Sequence, residues 1–338
     1  MRKKTSTPAC YQVGVSWPIT WDDIAAARKR IAPYLSPPPL RRYATLDAEV
    51  GNGIRVLVKH ENHLPTNAFK ARNALSFMTS LDPAQRTRGV VAATRGNHGA
   101  GLAWAGSELG VPVVICVPHG NNPEKNAAMR GYGAELIEAG RDYDEAVEVA
   151  KRLVLDRGLV LAHSTNDANV IAGAGTLGAE LCEQAIALDA IVVAVGGGSQ
   201  AVGALVAARH LRPGVQVFGV QAANASAIHD SWHAKARMTR DSADTFADGL
   251  ATRATYDLTW EALAEGLEGF VAVPESAIAE AIRVLLRTTH NLAEGAGAAG
   301  LAGLFALRDR LAGKTVAVVL SGSNIDAATL RRVLTGEL

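Results

Sequence analysis

Residues 190–211 read "AIVVAVGGGSQAVGALVAARHL". An apolar, strand-like run passes straight into Gly196, Gly197 and Gly198, and then into the helix-like "SQAVGALVAARHL". Three successive glycines let the backbone turn its N–H groups inward with no Cβ in the way, and the helix N-terminus behind them adds a favourable dipole. The stretch therefore reads either as a cup for a phosphate or as no more than a tight turn.

Outward from this stretch the same alternation continues. Short β-branched runs at 54–60, 89–94, 112–117, 158–163, 215–220 and 315–320 are separated by alanine-rich helical candidates at 99–109, 122–132, 142–156, 173–187, 275–290 and 297–311. Strand, helix, strand, helix is the pattern of an α/β protein with mostly parallel sheets flanked by helices. The near-continuous apolar character of the runs agrees, because both faces of such strands are buried. An N-terminal helix at about 21–34 ends at the prolines of "SPPPLRR" (36–42). With 338 residues, the chain has length for about two domains. It closes at Leu338, soon after the last strand, so no appended regulatory domain is expected.

In such sheets ligands bind at the carboxyl ends of the strands. Two further loops there carry unusual chemistry, "TRGNHGAG" (94–101) and "SGSN" (321–324). A dinucleotide is disfavoured, since "VFGVQ" ends in Gln221 where a ribose-binding carboxylate is expected. A P-loop is absent too, because no GxxxxGK[ST] occurs. A monophosphate fits better. Residues 66–70, "TNAFK", place Lys70 where a loop turns into a helix. A lysine, a phosphate cup and an asparagine loop together suggest a phosphorylated aldehyde held as a Schiff base, for which pyridoxal phosphate is the obvious candidate. The plain alternatives are a snorkelling surface lysine at Lys70 and ordinary turn residues at Ser321 and Asn324.

Composition excludes other classes. Hydrophobic residues make up 48% and charged residues 20%, and the net charge is +1, so no bulk field recruits nucleic acid or an anionic membrane. Cys10, Cys116 and Cys182 are far apart with no CxxC, which indicates neither a zinc knuckle nor a disulfide framework. The basic start "MRKKTSTPACYQVG" has no apolar signal core behind it, and no run reaches membrane-span length. A cytoplasmic location is expected.

The ordered motifs resemble fold-type II pyridoxal-phosphate enzymes, the group of threonine and serine dehydratases, serine racemase, threonine synthase and the tryptophan synthase β subunit. The resemblance runs from "PPPLRRYATLD" (37–47) to "SGSNID" (321–326). It implies a tryptophan-synthase-β-like fold, with a discontinuous large domain of residues 1–86 and 165–338 and a small mobile domain of residues 87–164. In "PTNAFKARNA" (65–74), Lys70 matches the Schiff-base lysine, while Ala68 replaces the family's serine and Asn73 its glycine. "TRGNHG" implies that Asn97 bonds the cofactor 3-oxygen, and that Thr94 and the amides of Arg95, Gly96, Asn97 and His98 receive the substrate carboxylate. Gly196, Gly197, Gly198 and Ser199 match the phosphate loop, Ser199 replacing a fourth glycine. Ser321 falls at the pyridine nitrogen, and Glu294 of "HNLAEGAGAAGL" lies at the cofactor edge.

What the resemblance implies chemically follows from those residues. Lys70 is the base at Cα, and burial tunes its pKa toward the working range. A serine at the pyridine nitrogen cannot hold it protonated as a carboxylate would, which favours β-elimination over transamination. The expected activity is the dehydration and deamination of a β-hydroxy amino acid such as L-threonine or L-serine to a 2-oxo acid and ammonia. A bulkier substrate such as phenylserine, a β-replacement synthase and a catalytically silent cofactor binder are the alternatives. Arginine is a poor proton shuttle, so Arg95 argues against racemisation; it either pairs with a substrate carboxylate or points into solvent. No metal is expected, because Gln221 and Ala227 stand in "GVQAANASA" (219–227) where the carboxylate ligands of some relatives would fall. His63 and His98 read more readily as hydrogen-bonded structural residues than as catalysts, Arg72 as a brace of its loop, and Asp248 as a candidate lining of the entrance. A homodimer is the family's habit.

Overall fold

The computed structural model describes residues 17–338, so Cys10 and the basic start lie outside the described residues. Among the described residues, ten strands form two sheets. They are β1 Leu40–Arg42, β2 Arg55–His60, β3 Val90–Ala93, β4 Val113–Val117, β5 Glu135–Glu138, β6 Val160–Leu161, β7 Ala190–Ala194, β8 Gln216–Ala222, β9 Gly269–Val273 and β10 Thr315–Leu320. The larger sheet runs β1-β2-β10-β7-β8-β9 and the smaller one β5-β4-β3-β6. Every pairing is parallel except the antiparallel β1 on β2. The central strands β7 and β10 are buried along their whole length, as their uninterrupted apolar sequences require.

Three strands escape the sequence reading. β1 carries two exposed arginines, β5 has the polar ends Glu135 and Glu138, and β9 begins with a glycine and stops before Pro274. All three lie on sheet edges; in β1 and β5 solvent on one side removes the apolar signature, whereas β9 keeps an apolar run. The run at 158–163 shortens to β6, leaving His163, Ser164 and Thr165 as a loop. The helix expected at 173–187 begins at Ala168 and ends at Gln184, because the Asp167 carboxylate accepts the Asn169 and Val170 amides at 2.8 and 3.0 Å and caps it early.

The helix Lys70–Ser80 joins the two sheets. It is held between Asn97–Leu109, which follows β3, and Ala168–Gln184. A Cβ on Gly101 would stand 2.8 Å from the Lys70 carbonyl oxygen, and one on Gly173 would stand 2.6 Å from that of Arg72. Glycine at both positions lets the three backbones touch. Two residues beyond Lys70, Arg72 is 2% exposed and donates to both oxygens of Glu61, at 2.7 and 3.0 Å, and to both of Glu180, each at 2.7 Å. Lys59, fully buried, donates to Glu180 at 2.6 Å and to the Pro38 carbonyl at 2.7 Å. Two cations and two carboxylates thus close a neutral buried network beneath the helix that carries Lys70.

Candidate functional site

The "TNAFK" and "SGSN" stretches, remote in sequence, are laced together. Phe69 N–H donates to the Ser321 carbonyl at 2.9 Å, Ser323 N–H to the Asn67 carbonyl at 2.9 Å, and Ala68 bridges Gly322. The Glu294 amide donates to the Gly322 carbonyl at 3.1 Å. Side chains extend the seam. Asn324 Nδ2 donates to the Thr66 carbonyl at 2.8 Å and to Asn97 Oδ1 at 2.7 Å, and Asn97 Nδ2 donates to Glu294 Oε1 at 2.5 Å. Lys70, Asn97, Glu294, Ser321 and Asn324 are therefore gathered on one seam. Burial raises the Glu294 carboxyl above its ordinary range, against the pull of the Lys125 ammonium and the Asn97 hydrogen bond.

Lys70 Nζ faces the loop after β6, where it donates to the Ser164 carbonyl at 3.1 Å. Burial without a carboxylate partner lowers its pKa to about 8. Behind it, His98 is buried with Nε2 3.0 Å from the Ala162 carbonyl. A carbonyl accepts, so the proton is assigned to Nε2 and Nδ1 is bare and unpartnered. Burial and then the nearby Lys70 push this imidazole down to about 3, and it stays neutral. The His98 side chain is turned toward the end of β6. Thr94 Oγ1 accepts the Gly96 amide at 3.3 Å, while the helix starting at Asn97 has no side-chain cap and leaves its first-turn amides open.

At Gly196–Ser199 the backbone is shaped for an anion. Among the described residues, none of these four amides finds an acceptor. A Cβ on Gly197 would lie 2.0 Å from Thr165 Oγ1, one on Gly196 would lie 2.1 Å from the Gly249 carbonyl, and Gly198 has φ +99°. No other residue type fits this cradle. Thr259 Oγ1 donates to the Gly197 carbonyl at 2.7 Å and fixes its rim. Gln200, in the first turn of the following helix, is buried with Nε2 unpartnered. Unsatisfied donors around a Cβ-free cup are what a phosphate's acceptor oxygens require. The two departures from the family's glycines meet here, Asn73 Nδ2 donating to Ser199 Oγ at 3.4 Å.

Residues 31–322 match the model of a family described as pyridoxal-phosphate dependent enzyme. The chain belongs to the pyridoxal-phosphate-dependent enzymes. An L-threonine ammonia-lyase of Thermotoga maritima is 37% identical over 94% of this chain and 78% of its own length. The T.th. threonine deaminase structure is 35% identical, with a TM-score of 0.86 over 91% of this chain and 99% of its own. Maize serine racemase is 29% identical with a TM-score of 0.89, covering 95% and 98%. The fold is that of fold-type II pyridoxal-phosphate enzymes, and the free amides, the orphaned Gln200 amide and the carboxylate-free Lys70 suit that cofactor's phosphate and aldehyde.

Other site residues carry no signal strong enough to single them out in the sequence. His163, Ser164 and Thr165 read there as strand or connector, yet they border both the lysine and the cup. Asp248 forms an ion pair with Lys125, which also lines a cavity of about 200 Å³ together with Gly96, Asn97, Asn324 and Asp326. Ser321 is buried, its Oγ donating to the Ala296 carbonyl at 3.3 Å. Arg95 is exposed. Among the described residues, no group of three or more His, Cys, Asp or Glu is placed to hold a metal ion, and no helix is long and apolar enough to cross a membrane.

Proposed function

We propose that this enzyme removes the β-hydroxyl and amino groups of a small β-hydroxy amino acid, L-threonine or L-serine in the simplest case, giving a 2-oxo acid and ammonia. The water lost across Cα–Cβ is regained when ammonia is released by hydrolysis, so atoms balance. The observation that carries this reading is a buried amine of lowered pKa beside a ring of unsatisfied backbone donors, with a serine hydroxyl and no carboxylate at position 321. Pyridoxal phosphate, when bound, supplies the electron sink that weakens bonds at the substrate's Cα.

The chain's own residues supply the rest. Lys70, neutral above its lowered pKa, takes the Cα proton. Gly196–Ser199 would hold the phosphate through their amides, and Asn97, oriented by Glu294 and Asn324, would hold the cofactor's 3-oxygen. The amides opening the helix at Asn97 receive the substrate's α-carboxylate. With pyridoxal phosphate bound, Ser321 would be the residue at the ring nitrogen, and a hydroxyl there, unlike a carboxylate, would favour expulsion of the β-substituent. Segment 87–164 is the part that moves over the substrate. A cytoplasmic setting is supported by the buried, unpaired thiols of Cys116 and Cys182, and a homodimer by the family's habit.

The test is a panel of β-hydroxy amino acids scored for ammonia and 2-oxo acid. Turnover of serine or threonine with no added nucleophile is expected, whereas product only with an added nucleophile would assign β-replacement instead. Size-exclusion chromatography with light scattering checks the dimer.

A further inference from the structure

Asn73 lies one turn after Lys70 on the same side of the helix Lys70–Ser80, and Ser199 opens the helix Ser199–Leu211 behind the glycine cup. Asn73 is fully buried and Ser199 is 3% exposed. The two side chains meet across the gap between their helices, and together they hold more donors than their surroundings use. The amide carries two hydrogens and the hydroxyl one. With Asn73 Nδ2 donating to Ser199 Oγ at 3.4 Å, Asn73 Oδ1 has no partner and the hydroxyl hydrogen has no acceptor among the described residues. Turned over, the amide accepts that hydroxyl at Oδ1 and leaves both of its own hydrogens free. In either orientation one hydrogen is spent inside the pair and two are left over.

A buried donor without an acceptor costs free energy, and a ligand rich in acceptors removes that cost. Such a ligand's seat adjoins the pair. Ser199 is the last residue of the cup, whose four amides are also free. Gln200, next in the chain, repeats the excess, being buried with Nε2 unpartnered. Among the described residues, no lysine or arginine hydrogen-bonds any atom of Gly196–Ser199; the side chains that do so are Asn73 and Thr259. A phosphate seated there takes its hydrogen bonds from neutral donors, so each added one counts.

We propose that Asn73 and Ser199 act as one unit, a side-chain extension of the cup that donates hydrogens to the cofactor's phosphate, each residue setting the orientation of the other. Asn73 is then a cofactor-binding residue, and Ser199 binds through its side chain as well as its amide. The competing role is a brace between two helices that no ligand touches. The proposal rests on the placement of the phosphate at Gly196–Ser199 and adds to it the side chains that set its affinity.

The test titrates the full chain, freed of cofactor, with pyridoxal phosphate and with pyridoxal, which keeps the aldehyde and lacks the phosphate. Ser199→Ala and Asn73→Ala should each weaken pyridoxal phosphate binding on the order of tenfold and pyridoxal binding less than about twofold. The double variant should lose much less than the product of the two single losses, since each residue acts through the other. Ser199→Thr, which keeps a hydroxyl, should stay within about threefold of wild type. The phosphorus NMR signal of the bound cofactor should shift in Ser199→Ala, a readout that needs no turnover. Equal losses for the two compounds assign the pair to bracing and overturn the proposal, as does an unchanged pyridoxal phosphate affinity in Ser199→Ala. Should Asn73→Ala fail to fold, Ser199→Ala against Ser199→Thr decides. Gly197→Ala separates this proposal from the placement beneath it. If that variant binds pyridoxal phosphate as wild type does, the phosphate lies elsewhere and the pair's role falls with the cup; if it binds more weakly while Ser199→Ala does not, the cup stands and the pair's role alone is refuted.

Discussion

Arg72→Met tests the buried network beneath the helix that carries Lys70. The substitution keeps most of the side-chain volume and removes five hydrogen bonds, two to Glu61, two to Glu180 and one to Thr176. It leaves Lys59 facing two carboxylates, and with all three residues under 5% exposed, water cannot screen the excess charge. Breaking a buried pair from one side costs about 3–5 kcal/mol. The thermal midpoint should therefore fall by about 4–7 °C, read by circular dichroism or dye-binding melts. The deficit should also depend on pH with a definite sign. Burial tends to raise the Glu180 carboxyl, but Arg72 and Lys59 outweigh it and hold it below the usual range. In the wild type its contribution is present above the unfolded carboxylate pKa and lost as pH falls through the lowered folded one. In Arg72→Met the surplus carboxylate instead binds a proton on folding, so the difference from wild type should shrink between about pH 8 and about pH 5.5. Arg72→Met/Glu61→Gln, neutral again, should recover at least half of the loss. A fall in midpoint under about 2 °C, or a deficit identical at both pH values, refutes the reasoning.

Three further outcomes are expected. Lys70→Ala should abolish turnover and visible Schiff-base absorbance; in the cofactor-free wild type, the rate of reaction with pyridoxal phosphate should rise with pH to a plateau, its midpoint near 8, and a midpoint near 10.5 would contradict the burial argument. The same lowered pKa means that the folded state sheds this proton first, so stability should rise between pH 8 and 10.5. Gly197→Ala puts a methyl 2.0 Å from Thr165 Oγ1 and should weaken cofactor affinity at least about tenfold in a fluorescence titration, unchanged affinity meaning that the phosphate lies elsewhere. Asp144→Asn with Asp248→Asn releases both ion pairs that tie segment 87–164 to residues 248–253; the radius of gyration from X-ray scattering and the KM should rise while the unfolding midpoint barely moves, and an unchanged scattering curve counts against a mobile small domain.

Much of this is open to a reader of the sequence alone. The buried parallel strands announce themselves because both faces are apolar, so β7 and β10 need no partners to be read. The glycines at 196–198 and the lysine at 70 are picked out by residue type, but each alone also reads as a tight turn or a surface lysine, and it is their order with the other motifs that selects the cofactor reading. Position in space is another matter. Edge strands such as β5 are half-solvated and lose the pattern, and a two-residue β6 hides the loop that brings Ser164 to the Lys70 amine. Whether His98 faces a substrate or a carbonyl depends on which strand lies behind it, and only packing answers that, with Ala162. The matching of charges is the clearest case. Sequence lists cations and carboxylates in nearly equal number, but which guanidinium is neutralised, as Arg72 is by Glu61 and Glu180, depends on contacts between residues distant along the chain, because Coulomb attraction acts through space.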